Sequence, residues 1–249
     1  MSPDAQRSDD AQRRAIALLD GLIAGLEPGV RPADVAARAE AALRPAGFDR
    51  WYHRPEVRIG PGRGGNQPLA EGDLVRIDVA PATPEAFGDV GVSFRWRRPE
   101  DGIVRRAREI NQATAAFASR WKVVGELFVF ARAWANTRML TLEGNAVGHI
   151  CFAPEGWAGT AWPRAAHAAT RLRRFQIGML NPRRLRGTWA VRVVLSDGPD
   201  TAWFEEMIYV DEEARLLLGR DGPEAVGQFP ALANPPIPLP GLRGERDKK

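Results

Sequence analysis

Cysteine and histidine are scarce in this chain. One cysteine in 249 residues, Cys151, excludes an internal disulfide and fits a reducing compartment. Three histidines, His53, His149 and His167, exclude a histidine-rich metal site. Lysine is nearly absent, so the formal charge of +4 rests almost wholly on arginine. A balance that mild does not by itself point to a nucleic-acid partner. No apolar run is long enough to span a bilayer, so no membrane partner is expected. Met1 to Arg14 is polar and lacks the apolar stretch of a secretory signal, which gives the expectation of a cytoplasmic protein. The absence of a Gly-x-Ser-x-Gly elbow argues against a serine hydrolase. The run Pro61-Gly62-Arg63-Gly64-Gly65 lacks the Gly-Lys-Ser/Thr ending of a phosphate loop and reads as a connection.

What is present supports a globular core, with 44% hydrophobic residues. Asp10 to Leu26 has helical periodicity, with Ile16, Leu19, Leu22, Ile23 and Leu26 on one face. Glu27-Pro28-Gly29 breaks it, and a second helix runs from Pro32 to about Leu43. Val57 to Gly60 reads as a short strand, followed by strands Leu74 to Ala80 and Asp89 to Trp96. The order then recurs. Glu100 to Trp121 and Gly125 to about Leu140 read as helices. Ala146 to Phe152, Thr188 to Leu195 and Ala202 to Val210 read as strands, with Ala214 to Leu218 as an added edge. Pro32-Ala33-Asp34-Val35 and Val124-Gly125-Glu126-Leu127 hold the same place in each half, so the pattern suggests an internal duplication. Helices and strands segregated in this way predict an α+β domain with helices over one face of an antiparallel sheet. The expected division is a flexible terminus over 1–9, one domain over 10–220 and a proline-rich arm over 221–249.

Two pairs of charged residues straddle turn signals. Asp78 and Asp89 are centred on Thr83–Pro84, and Arg192 and Glu205 on Gly198–Pro199. Each pair is expected to be opposed across a hairpin and so to share a sheet face. If the hairpins are neighbours, three carboxylates and one guanidinium meet in one place. This would be a dinuclear metal site with one ligand replaced by its opposite charge.

The text around these residues resembles the pita-bread fold metallopeptidases, which include methionine aminopeptidase, Xaa-Pro aminopeptidase, prolidase and the metal-free creatinase. The resemblance is carried by Val57-Arg58-Ile59-Gly60 and by Leu69-Ala70-Glu71-Gly72-Asp73-Leu74-Val75-Arg76-Ile77-Asp78-Val79-Ala80, with Asp89 following. Val147-Gly148-His149 and Phe204-Glu205-Glu206-Met207-Ile208-Tyr209-Val210 extend it, so that it spans roughly residues 10 to 220. It implies two related αα-β halves and five ligands around two divalent ions. Paired metals of that kind clamp a water and polarise a carbonyl. Carried over, Asp78 serves one metal, Asp89 bridges, His149 serves the other and Glu205 bridges. The fifth ligand falls on Arg192, which cannot ligate a metal.

Two further departures follow from the resemblance. The family's upstream histidine falls near Ile59, and its later histidine falls in Phe152-Ala153-Pro154-Glu155. The expectation is therefore an atypical hydrolase cleaving a C–N bond of a small-molecule or peptide-like substrate. Asp89, His149, Arg192 and Glu205 would be its catalytic residues. Asp78, Asp89, His149 and Glu205 would hold no metal or one ion of Mn, Co, Fe or Zn. The alternative is an inactive binding or accessory module in which Arg192 neutralises the acids. His149 is read equally as a ligand or a packed histidine, His53 as covering a loop, His167 as exposed, and Cys151 as a buried structural thiol. The arginine-rich stretch Arg164 to Arg192 reads as a solvated surface, and nucleic acid is not expected because aromatic residues are not interleaved. A homodimer stays open.

Overall fold

A computed structural model describes residues 3–62, 64–100, 102–119, 121–151, 168, 172–211 and 215–219. His167, Phe152 to Glu155, the basic stretch before Leu172 and the C-terminal arm lie outside the described residues.

Helix α1 covers Pro3–Ala24 and α2 covers Pro32–Ala42. The strands β1 (Arg50–Ile59), β2 (Leu74–Ala82) and β3 (Val90–Arg95) complete the first half. Helices α3 (Gly102–Phe117) and α4 (Val124–Thr137) open the second half. The short strands β4 (Thr141–Leu142) and β5 (Gly148–Ile150) come next, then β6 (Gly187–Ser196), β7 (Thr201–Val210) and β8 (Arg215–Leu217). Residues 3–9, expected as a flexible terminus, are the first turns of α1, and Ala5 is fully buried.

The strands form one antiparallel sheet in the order β1-β2-β3-β7-β6-β4, with β5 also on β6 and β8 also on β7. The sheet curls, and the helices cover one side of it. α1 and α2 pack on β1 to β3, while α3 packs on β6 and β7. Two hydrophobic cores lie under the helices, one per half, and a third, smaller one, with Tyr52, Ala80, Phe87, Cys151, Ala190 and Met207, lies on the other side of the sheet. Under α1, the buried positions Ala11, Ala15, Leu18, Leu22 and Leu26 face Val75, Ile77 and Val79. Under α3 and α4, Ile110, Leu127 and Ala131 face Val191, Val193, Phe204 and Ile208. Each such aliphatic side chain contributes about 1.5–3 kcal/mol of burial energy. Alternation then throws Asp78, Arg192 and Glu205 onto the opposite side, away from the helices. The two halves meet at one paired residue, Gly91 against Glu205.

The duplication seen in the sequence extends to the helix starts. Asp34 accepts from the Arg31 backbone N–H at 2.9 Å, and Glu126 accepts from that of Val123 at 2.8 Å. Each acid thereby satisfies a free donor at the head of the second helix in its half.

The second hairpin has the expected register, with Arg192 opposite Glu205. The first does not: Asp78 lies opposite Gly91, because the turn is centred one residue later. That moves the pairing by two, and a shift of two keeps every side chain on its original face. Asp89 therefore still joins Asp78.

Gly88, just before Asp89, lies against α1. A Cβ at Gly88 would sit 2.4 Å from the Cβ of Ala15 and 2.8 Å from the Ala11 carbonyl oxygen. Gly88→Ala should therefore lower stability by roughly 1–3 kcal/mol in denaturant unfolding. An unchanged midpoint would show that α1 is free to move away.

Candidate metal centre

Five strands or strand ends place side chains in one cluster on the side of the sheet away from the helices. β2 supplies Asp78, the entry to β3 supplies Asp89, β5 supplies His149, β6 supplies Arg192 and β7 supplies Glu205. Asp78 and Asp89 are fully buried, and Glu205 nearly so. All five residues singled out in the sequence are thus brought together.

β1 contributes two more. Between Trp51 and Glu56 the strand carries two irregularities, each adding one residue against β2. Such bulges reverse the in-out alternation. Trp51 and Val57 pack in the helix-side core, while His53, opposite Ala80, and Glu56, opposite Asp78, face the cluster. The reading of His53 as a loop cover is therefore corrected: it stands in a strand beside both aspartates. The position near Ile59, where a histidine was sought, points into the core instead. A signal was available, because Pro55 inside a β-rich run points to an edge strand or a bulge, and β1 is both an edge and bulged.

The distances divide the cluster into two groups of three that share Asp89. His53 Nε2 lies 3.6 Å from Asp78 Oδ1 and 3.7 Å from Asp89 Oδ1. His149 Nε2 lies 3.4 Å from Asp89 Oδ2 and 3.9 Å from Glu205 Oε1. Both imidazoles direct Nδ1 at a backbone carbonyl, His53 to Arg54 at 2.9 Å and His149 to Ile150 at 3.1 Å. With that nitrogen protonated, Nε2 is left for the cluster, the arrangement that metal-bound imidazoles show. Gly148 brings His149 this close: a Cβ there would fall 2.0 Å from the Ala190 carbonyl oxygen.

Arg192 closes the cluster from the other side. Its Nη1 donates to Asp78 Oδ2 and, at 3.2 Å, to Glu205 Oε2; its Nη2 reaches Glu56 at 3.4 Å. The guanidinium also lies 5.1 Å from the Trp203 ring, which Arg76 approaches at 5.5 Å. Only the outer oxygens of Asp78 and Glu205 are engaged by it. Asp78 Oδ1 and both oxygens of Asp89 are buried and without a hydrogen bond.

The charges follow from these contacts. Burial pushes the Glu205 carboxyl up to about 8, with Asp89 and Asp78 adding to the rise. Burial also raises Asp78, against the pull of Arg192 and His53. Burial works against ionised Asp89 too, yet His149 and His53 outweigh it and hold its carboxyl well below the usual range. Burial acts to discharge His53, but Asp78 and Asp89 hold it up to about 10. Asp89 likewise raises His149 against the effect of burial. Burial pushes the Cys151 thiol well above its ordinary range, as suits a structural cysteine.

The donor set fits a divalent cation. Ligands about 2.0–2.1 Å from a tetrahedral ion stand ~3.4 Å apart, and the histidine–carboxylate distances within the two groups run from 3.4 to 3.9 Å. Buried carboxylate oxygens without a donor, flanked by imidazole nitrogens, are the hard and borderline ligands such ions take.

No protein-family model matches the chain, and no curated protein matches it in sequence. Solved structures do match. A methionine aminopeptidase from Thermotoga maritima has a TM-score of 0.70 at 16% identity, over 89% of this chain and 98% of that one. An Xaa-Pro dipeptidase from Bacillus anthracis has a TM-score of 0.70 at 15% identity, over 89% of this chain and 62% of that one. An X-Pro aminopeptidase from Thermotoga maritima has a TM-score of 0.68 at 14% identity, over 87% and 61%. The chain thus spans about three-fifths of the two proline-peptide enzymes and nearly all of the methionine aminopeptidase. The fold is the pita-bread fold. No helix among the described residues is long and apolar enough to cross a membrane.

Arg192→Glu should bind Mn²⁺ at least about tenfold more tightly than the unaltered chain in calorimetric titration, since a repelling charge becomes a ligand. An unchanged dissociation constant would show that position 192 lies outside the ion's field.

Proposed function

We propose that this chain is a divalent-metal-assisted hydrolase that cleaves a C–N bond in a small peptide-like substrate, with one ion per chain. One observation carries this reading: Asp89 presents two buried oxygens, each shared with a separate histidine–acid pair. Asp89, His149 and Glu205 are assigned to the ion, whose identity among Mn, Co, Fe and Zn stays open. A bound ion would polarise the substrate carbonyl and lower the pKa of water.

The remaining groups have separate roles in this proposal. Asp89, whose Oδ2 lies on the His149 side, accepts the proton of the attacking water on Oδ1, beside His53. His53, with Nε2 between Asp78 and Asp89 and its side chain still partly exposed, returns a proton to the departing nitrogen. Asp78 fixes that imidazole on one side and Arg192 on the other. Arg192, partly open to solvent, holds a substrate carboxylate or the oxyanion.

A second reading rests on the same guanidinium. Because Arg192 is bonded to both Asp78 and Glu205, it supports a binding or accessory protein in which the acids are permanently neutralised.

The two readings part in one experiment. Full-length protein loaded with Mn²⁺, Co²⁺, Fe²⁺ or Zn²⁺ is incubated with a mixed library of short peptides, and products are read by mass spectrometry. Turnover that Asp89→Asn reduces by at least about 10³-fold supports the hydrolase. One ion bound without cleavage of any peptide supports the accessory protein, and two bound ions would overturn the single-ion assignment.

A further inference from the structure

We propose that Gln12 and Asn111 are positioning residues: two buried side-chain amides, one from each half, that fix the backbone beside Asp89 and beside Arg192. The inference rests on the metal-binding reading of the cluster and adds the means by which the helices set its geometry.

Gln12 is on α1 and 1% exposed. Its Nε2 donates to the Asp89 carbonyl at 2.9 Å, and its Oε1 accepts from the Asp89 N–H at 2.7 Å. The amide thus pairs with both backbone groups of one residue, as a neighbouring strand would. Asp89 needs such a partner because it precedes β3, and the ladder to β2 begins at Val90. Without Gln12, two buried backbone groups lose their partner.

Asn111 does the corresponding work on α3 and is fully buried. Its Oδ1 accepts from the Val193 N–H at 3.1 Å, and its Nδ2 donates to Glu206 at 3.4 Å. Val193 follows Arg192, and Glu206 follows Glu205. Each half thus sets one buried helix amide behind the cluster, Gln12 on the backbone of Asp89 itself and Asn111 on Val193 and Glu206, the residues next to Arg192 and Glu205.

The Gln12 amide matters more for the ion than its hydrogen bonds matter for stability. Asp89 gives one oxygen to each group of three, so a turn of its peptide moves both groups at once. Partners of this kind behind metal ligands are worth about 10–100-fold in affinity.

The test compares Gln12→Leu and Gln12→Glu with Leu19→Ala, a core truncation two turns further along the same helix. Mn²⁺ affinity is measured by calorimetry, the Asp89 amide by hydrogen exchange without metal, and the His53 and His149 imidazoles by nitrogen-edited NMR. Gln12→Leu should weaken Mn²⁺ binding about tenfold or more and speed Asp89 exchange. Gln12→Glu, which keeps the acceptor for the Asp89 N–H, should keep that exchange slow. Leu19→Ala should lower the melting temperature and leave Mn²⁺ affinity within about twofold. Equal loss of affinity in Leu19→Ala and Gln12→Leu would make the effect merely structural and overturn the proposal. If the unaltered chain binds no Mn²⁺, the functional reading fails on its own. Gln12 is then judged by NMR and exchange: altered imidazole signals and faster Asp89 exchange in Gln12→Leu sustain it, and their absence overturns it.

Discussion

Three carboxylates buried within reach of one another are the constraint around which this molecule is arranged. At an effective dielectric constant of about 20, two unit charges 4 Å apart interact by about 4 kcal/mol. Full ionisation of all three would cost a large share of the whole stability of a domain, about 5–15 kcal/mol, and burial accordingly raises the Asp78 and Glu205 carboxyls toward their protonated forms. Asp78, Asp89 and Glu205 are nevertheless buried, so positive charge has to be built in with them. Arg192 from β6 and the imidazoles of His53 and His149 supply it in the absence of a cation. These cations come from β1, β5 and β6, whereas the acids come from β2, β3 and β7. Closing the sheet and balancing the charge are therefore one event, and neither half of the duplication holds a neutral cluster by itself.

Much of this was legible before any coordinates. The helix periodicities, the Gly198–Pro199 turn and the repeated acid at the second helix of each half specify the α+β layout and the register of β6 on β7. The centre of the first hairpin was misplaced by one residue, yet parity preserved the outcome, because side-chain direction depends only on odd or even shifts. β1 was harder to read. Alternation assumes one residue per step, and the two bulges around His53 and Pro55 break that assumption twice. Neither His53 nor Glu56 was placed at the site, since a composition-based reading sees a tryptophan, a tyrosine and a histidine beside a proline and infers a loop. Long-range contacts such as Gln12 to Asp89, separated by 77 positions, leave no local trace at all.

Arg192 also bears on how a guanidinium and a metal ion compete. A guanidinium cannot give up its charge at working pH, so it excludes a cation either by filling its space or by repelling it. Space is not the obstacle here. Nη1 takes the outer oxygen of Asp78 and of Glu205, while Asp78 Oδ1, both oxygens of Asp89 and both Nε2 atoms face inward. The competition is therefore electrostatic, and it falls unevenly. Arg192 Nη1 holds Asp78 of the His53 group more closely than Glu205 of the His149 group, which it meets at 3.2 Å. A cation entering the cluster meets least opposition on the His149 side, which is the physical reason for assigning one ion there. Glu56 lies within 3.4 Å of Arg192 Nη2 and offers the side chain a resting partner away from the centre. Acids and imidazoles of the kind that could hold a divalent ion thus stand beside a fixed cation, with Glu56 as a rim acid that tempers its repulsion.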